Sequence, residues 1–304
     1  MVGKEWIKKR LNMIDAIKKR LRWSYWCPSF LNTKFDLLHE NELHDLTDLR
    51  HQYDYKWFAD PFILDVTEKE IILLVEECDI NYSRGRIAKL VLNKQTKELV
   101  SMKILLDLPT HLSFPAIYRA DSNFYVYPEN SAAGCLTMYL YDKNSETLQK
   151  HSVICDDPIT DAIIKKIGEK FYMFGTVVPA ENGNILSIYQ SNTFDGHYSF
   201  LQHVSFNENI ARGAGDIFEI DGICYRVSQI CNNGYGQGLT IQKIIFKDGF
   251  FYIEEINRIP CPKNKIALHT YNEYNGVVVV DWRKEKHSML RKIPGFFRGL
   301  LHNK

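Results

Sequence analysis

No CxxC pair occurs among the seven cysteines, and no run approaches the ~20 apolar residues that a membrane-crossing helix needs. Cys27, Cys78, Cys135, Cys155, Cys224, Cys231 and Cys261 are odd in number and irregular in spacing. That pattern fits small buried thiols in a reducing, cytoplasmic location better than a disulfide scaffold. An excess of one charge is also missing: 38 Lys and Arg face 37 Asp and Glu, for a formal net charge of +1. A chain so balanced is not expected to bind a polyanion as a whole. It carries no basic–aromatic stripe for nucleic acid, so no nucleic-acid partner is expected. The N-terminus lacks the continuous apolar stretch and cleavage site of a signal peptide. No metal-ligand spacing is found, and Tyr235-Gly-Gln-Gly has a strand context with no following helix. Neither a metal nor another cofactor is expected.

Aromatic residues and short apolar runs are plentiful. Tyr and Phe number 17 each. From about residue 55 to 282, runs of five to eight Ile, Val, Leu, Tyr and Phe residues alternate with turn residues. Examples are Ile71-Ile-Leu-Leu-Val-Glu, Phe171-Tyr-Met-Phe-Gly and Val277-Val-Val-Val-Asp. No long helical periodicity interrupts them, so this part reads as all-β. A unit of apolar strand, Gly/Asp/Asn turn and aromatic strand recurs, starting near residues 61, 115, 162, 216 and 268. Five units of about 50 residues predict a five-bladed β-propeller.

The ends differ. Ile7, Leu11, Ile14, Ile17 and Leu21 recur at helical spacing among Lys8, Lys9, Arg10, Lys18, Lys19, Arg20 and Arg22, with Trp6 and Trp23 near the limits. The C-terminal stretch from Met289 repeats the basic, apolar and aromatic mixture. Three parts are expected: a basic amphipathic N-terminal segment (1–50), the propeller (51–284) and a basic amphipathic tail (285–304). Short helical ends of this kind either bind an anionic membrane surface, as at the inner face of a cell membrane, or pack on the domain with their charges in water.

In a propeller the inner strand of every blade faces the central channel. Residues just before each unit's first strand should therefore converge on one funnel. They are Asp60, then His111 and Ser113, then Asp161, then Arg212 with Gly213, then His269. Polar residues hold this phase in all five units. Asp60 lies inside the apolar heptapeptide WFADPFI with Trp57 at its head. It is either a turn residue or the floor of a site.

WFADPF, SRGRIA, HLSFP, YPEN, ARGAG, YRVSQ, YG and HTYN follow one another between residues 57 and 272. In this order they resemble the propeller domain of the glucosamine inositolphosphorylceramide transferase family. They are also similar to the five-bladed propellers of family 43 glycoside hydrolases. The resemblance covers roughly residues 50 to 285. It implies a base aspartate opening the first blade, matched by Asp60, and a modulating aspartate opening the third, matched by Asp161. The general-acid glutamate of the fourth blade is missing: Gly213 stands there, beside Arg212.

Expulsion of an alkoxide needs a proton donor, whereas a phosphate leaves unprotonated and is helped by cations. Arg212, Arg226 and His269 are expected near the funnel as such cations, and Gln229 and Tyr235 as further binding residues. The reading is glycosyl transfer in cell-surface polysaccharide or glycolipid synthesis from a sugar-phosphate donor, with Asp60 as base and a lipid-linked glycan as a possible substrate. Two alternatives stay open. One is a hydrolase with its acid relocated to Glu129 or Glu77; the other is a non-catalytic glycan-binding module. Bland roles are open too: Arg226 pairing with Glu219 or Asp221, His269 as a core histidine, Gln229 as an amide bridging blades.

Overall fold

The computed structural model describes residues 22–287, with side chains from 24 to 285. Two strands, β1 (Arg22–Leu31) and β2 (Leu46–Asp48), precede four sheets of four consecutive strands. Blade one holds β3 (Lys56–Val66), β4 (Glu70–Asp79), β5 (Arg86–Asn93) and β6 (Leu99–Leu106). Blade two holds β7 (Ser113–Ala120), β8 (Asn123–Glu129), β9 (Leu136–Asp142) and β10 (Thr147–Cys155). Blade three holds β11 (Ile159–Ile167), β12 (Lys170–Val177), β13 (Ile185–Ser191) and β14 (Ser199–Ser205). Blade four holds β15 (Gly213–Ile220), β16 (Ile223–Gln229), β17 (Gly238–Lys247) and β18 (Phe250–Pro260). Blade five combines β19 (Ala267–Tyr274) and β20 (Val277–His287) with β1 and β2, in the order β19-β20-β1-β2.

The fold is thus an all-β, five-bladed propeller whose last sheet is completed by the first strands. β1 pairs antiparallel with β20 from Arg22↔His287 to Phe30↔Val279. This closure moves the expected boundary. Residues 22–48, assigned to the amphipathic segment, supply two propeller strands, and Trp23 lies in β1. The segment's remaining part, including Ile7 to Leu21, lies outside the described residues, as does the tail from 288. Among the described residues no helix is long and apolar enough to cross a membrane.

Burial explains the two kinds of strand. Positions 58–64 of β3 are all buried, because an inner strand packs on both faces against neighbouring blades. Outer strands such as β14 and β18 are mostly exposed or half-buried and show one face to water, with Phe251 and Ile259 of β18 turned inward. Apolar side chains fill the gaps between blades; Phe62 of blade one meets Phe114 of blade two edge to face at 4.9 Å. Such a ring pair contributes about 0.5–1.5 kcal/mol beyond its area. The hairpins turn on Asp221-Gly222, Asp248-Gly249 and Asn275-Gly276, all at positive φ, the signature of a tight two-residue turn.

One irregularity repeats around the ring. Each inner strand breaks register with its partner near its start: Ala59/Phe62, Ser113/Ala116, Thr160/Ile163, Gly213/Ile217 and Leu268/Thr270. A bulge of this kind re-aims the extra residue away from the ladder. Asp60, Phe114 and Asp161 occupy three of these bulges with φ of 49°, 44° and 46°, in the left-handed region.

Candidate active site in the funnel

The bulge positions carry Asp60, Phe114, Asp161, Ala214-Gly215 and His269. The expected polar phase therefore fails in two blades. Phe114, rather than His111 or Ser113, holds the position in blade two, and its apolar ring turns to Phe62. Its contribution to the site is a backbone N–H, which donates to Oδ2 of Asp60 at 3.0 Å. In blade four Gly213 has no room for a side chain: a Cβ there would stand 2.6 Å from the Asp161 carbonyl oxygen.

Asp60 is buried at the junction of blades one, two and five. Nε2 of His269 lies 2.8 Å from its Oδ1. Its own N–H donates to Oδ2 of Asp281 at 2.9 Å. Nδ1 of His269 lies 2.8 Å from Oδ1 of Asp281 but off the line of a straight hydrogen bond. That oxygen also accepts from the Thr270 hydroxyl at 2.6 Å and its backbone N–H at 3.1 Å. Burial alone would pull the imidazole pKa down. The Asp281 and Asp60 charges outweigh it and raise the value to about 10, so His269 is an imidazolium between two carboxylates. Ligand atoms of Asp60, His269 and Asp281 lie within 4.8 Å of one another, close enough for a cation. Nε2 of His269 faces the Asp60 carboxylate, and its Nδ1 makes no hydrogen bond among the described residues. Trp26 of β1 covers His269 with ring centroids 3.8 Å apart, and Tyr235 approaches it at 5.3 Å.

A second cluster stands across the funnel. Glu129 ends β8 opposite Ser113, the neighbour of Phe114. Its Oε2 accepts from the Asp161 N–H at 3.3 Å and lies 3.6 Å from the Arg212 guanidinium. Burial, then the adjacent Asp161 charge, raise the Glu129 carboxyl well above the usual range, with Arg212 opposing. Arg212 Nε donates to Oδ2 of Asp161 at 2.5 Å, and its NH1 to Asn182 at 2.8 Å. Burial disfavours the Arg212 charge, but Asp161, Tyr235 and Glu129 more than offset it. Gln229 Nε2 bridges Oδ2 of Asp161, at 3.1 Å, and the Gly213 carbonyl, at 2.8 Å.

Tyr235 joins the clusters. Arg212 sits 5.0 Å from its ring centroid, and Trp26 meets its ring at 6.0 Å, edge to face. Its residue is 37% exposed, as expected for the wall of an open funnel. Asp60 and Arg212 are thus linked through His269 and Tyr235.

The remaining expected residues divide. Ser113 is buried in register with Glu129. Trp57 is half-buried in β3, paired across the strand with Cys78. His111 lies in the loop before β7, with Nε2 3.2 Å from Glu76; the hydrogen bond to Glu76 raises its pKa against the effect of burial. Arg226 does not offer its cation to the funnel. It is buried within blade four and donates to Gln242 Oε1 and the Ala211 carbonyl, both at 2.6 Å. Neither Glu219 nor Asp221 reaches it among those partners, and burial without a carboxylate pulls its pKa down. Glu77 is fully buried between Lys56 and Arg86, at 2.5 and 2.8 Å, as a structural ion pair.

Besides Phe114, three more residues at the site escaped sequence reasoning. Asp281 had a signal, an acid ending the apolar run Val277–Val280, like Asp60 in WFADPFI. Trp26 had none, since β1 joins the last blade only in three dimensions. Glu76 was hidden beside Glu77, and strand alternation decides which of the two faces His111.

Solved structures share this architecture. A family 43 β-1,3-galactosidase matches with a TM-score of 0.54 at 10% identity, over 71% of this chain and 52% of that one. A family 43 β-xylosidase/α-arabinofuranosidase from a compost metagenome matches at 0.52 and 13%, over 77% and 92%. Identities so low show the fold alone. Glucosamine inositolphosphorylceramide transferase 1 from Arabidopsis thaliana is 27% identical over 206 residues, 65% of this chain and 26% of the relative. The protein of that name from Oryza sativa subsp. japonica is 26% identical over 199 residues, 63% of this chain and 27% of the relative. The chain spans about a quarter of these relatives' length. The family described as glucosamine inositolphosphorylceramide transferase 1, N-terminal, matches residues 47–279, and the chain belongs to it.

Proposed function

We propose that the funnel is a carbohydrate-active site performing glycosyl transfer in glycolipid or surface-polysaccharide synthesis. One observation carries this reading. Two carboxyl groups in unlike surroundings stand near one another across the funnel: Asp60 in contact with the His269 imidazole, and Glu129 with its pKa raised well above the usual range. Unlike surroundings of this kind divide base and acid roles.

Asp60 takes the proton of an acceptor hydroxyl; its two oxygens accept one bond each from His269 and Phe114, leaving lone pairs free. The acceptor oxygen bonds to the anomeric carbon as the bond to the leaving oxygen breaks, and Glu129 protonates that oxygen. Asp161, held by Arg212 and Gln229, keeps the Glu129 proton in place. Trp26 and Tyr235 offer ring surface to a sugar.

The cations expected to stabilise a phosphate are each committed: Arg212 to Asp161, His269 to Asp60 and Asp281, Arg226 to Gln242. A proton on Glu129 suits leaving groups that need one, so the site extends to alkoxides. Transfer to water, the hydrolase reading, uses the same residues. The relatives' name suggests a glucosamine donor and an inositolphosphorylceramide acceptor.

Purified protein is incubated with activated hexosamines and lipid-linked acceptors, and product is followed by mass spectrometry. Asp60→Asn is expected to lower turnover by about 10²–10⁴. Unchanged turnover in that variant overturns the assignment; product formed equally without acceptor selects hydrolysis.

A further inference from the structure

We infer that the funnel mouth docks face-down on an anionic lipid surface. Strand register shows where the chain ends leave the ring. β19 opens at Ala267, next to His269, and Ala267 pairs with Arg283 of β20, which pairs with Trp26 of β1. From that level β20 runs on to His287 and β1 begins at its partner Arg22. Residues 1–21 and 288–304 therefore connect to blade five at the mouth end.

Charge is divided in the same way. Residues 1–21 hold seven Lys and Arg against two acids, and residues 288–304 hold four against none. Residues 22–287 hold the other 27 against 35. The propeller body is repelled by an anionic surface and the two ends are drawn to it, so the ends decide which face meets the lipid. Their apolar members, Ile7, Leu11, Ile14 and Ile17 with Phe296 and Phe297, suit the headgroup boundary.

The mouth itself carries exposed apolar side chains. Tyr55, Ile80 and Tyr82 are 40%, 40% and 46% exposed, and Ile266 is 37% exposed. Their loops are tied together: the Ile80 N–H donates to the Tyr55 carbonyl, and the Leu268 N–H to Gly236 beside Tyr235. Arg86 and Arg84, paired with Glu77 and Asp107, lie over the Tyr82 ring at 4.0 and 6.0 Å and hold it in place. Exposed aromatic and apolar side chains are what a headgroup layer accepts. Docked so, the site is presented to molecules anchored in the lipid. That last consequence rests on the function proposed above; the orientation does not.

The test uses the full chain and vesicles of phosphatidylcholine with or without phosphatidylserine. Co-sedimentation is expected only with phosphatidylserine, and to weaken with salt. Replacing Lys8, Lys9, Arg10, Lys18, Lys19 and Arg20 by Gln is expected to weaken it more than about tenfold. Hydrogen exchange on the vesicles is expected to slow in residues 80–85 and 261–266 and not at the opposite hairpin, 246–252. That hairpin exposes Phe246, Phe250 and Tyr252, at 44%, 56% and 55%, and is the competing face. Protection there, equal binding to neutral vesicles, or binding undiminished by the Gln variant overturns the inference. Loss of turnover with lipid docking intact faults the proposed reaction instead.

Discussion

Asp60 and His269, from the first and last inner strands, meet with Oδ1 and Nε2 2.8 Å apart where the ring closes. The contact ties blade one to blade five next to the strands that complete the sheet. The proposed base and the ring closure therefore share one ion pair.

This pair predicts a pH signature. The folded pKa of His269, about 10, lies above its ordinary 6.5. The stabilisation is fully present below about pH 6.5 and is lost as pH rises through about 10. Thermal unfolding across pH 7–11 is expected to show a loss on the order of 3 kcal/mol that His269→Asn lacks. Equal losses in both proteins would contradict the pairing.

Glu129→Gln separates leaving groups. With an alkoxide leaving group the rate is expected to fall by about 10²–10⁴; with a nitrophenolate or phosphate it falls by less than about tenfold. Steady-state kinetics on matched substrates gives both numbers. An identical fall for both classes would remove Glu129 as the acid.

Arg226 belongs to the scaffold. Arg226→Met leaves Gln242 Oε1 and the Ala211 carbonyl unpaired and is expected to cost about 1–3 kcal/mol of stability. Substrate KM should not move. A raised KM in a fully folded variant would return Arg226 to the funnel.

Gly213 shows why the acid is not in blade four. Its missing Cβ lets blade three approach, with the Asp161 carbonyl in the space. Gly213→Ala is expected to destabilise by about 1–3 kcal/mol, and Gly213→Glu by more without creating a hydrolase. Denaturant unfolding and a glycosidase assay check both; a stable, hydrolytic Gly213→Glu would refute the packing argument.

The five blades were legible because turn chemistry and strand patterning are local: Asp221-Gly222 and Asn275-Gly276 mark hairpins in the text itself. Asp60, Asp161 and His269 were legible for the same reason, each opening a repeated unit. Phe114 was not, since its role is carried by a backbone N–H that any residue supplies. The commitment of Arg212 to Asp161 and the closure by β1 depend on contacts between distant blades, which leave no local mark.

A proton on Glu129 is the centre of the proposal, and it can be observed. Carbon-13 NMR of protein labelled at the glutamate carboxyls, with the Glu129 signal identified by its loss in Glu129→Gln, reports its state directly. A signal that stays in the protonated range through neutral pH is the predicted result. A Glu129 that titrates with the ordinary surface glutamates would contradict the division of acid and base between Glu129 and Asp60.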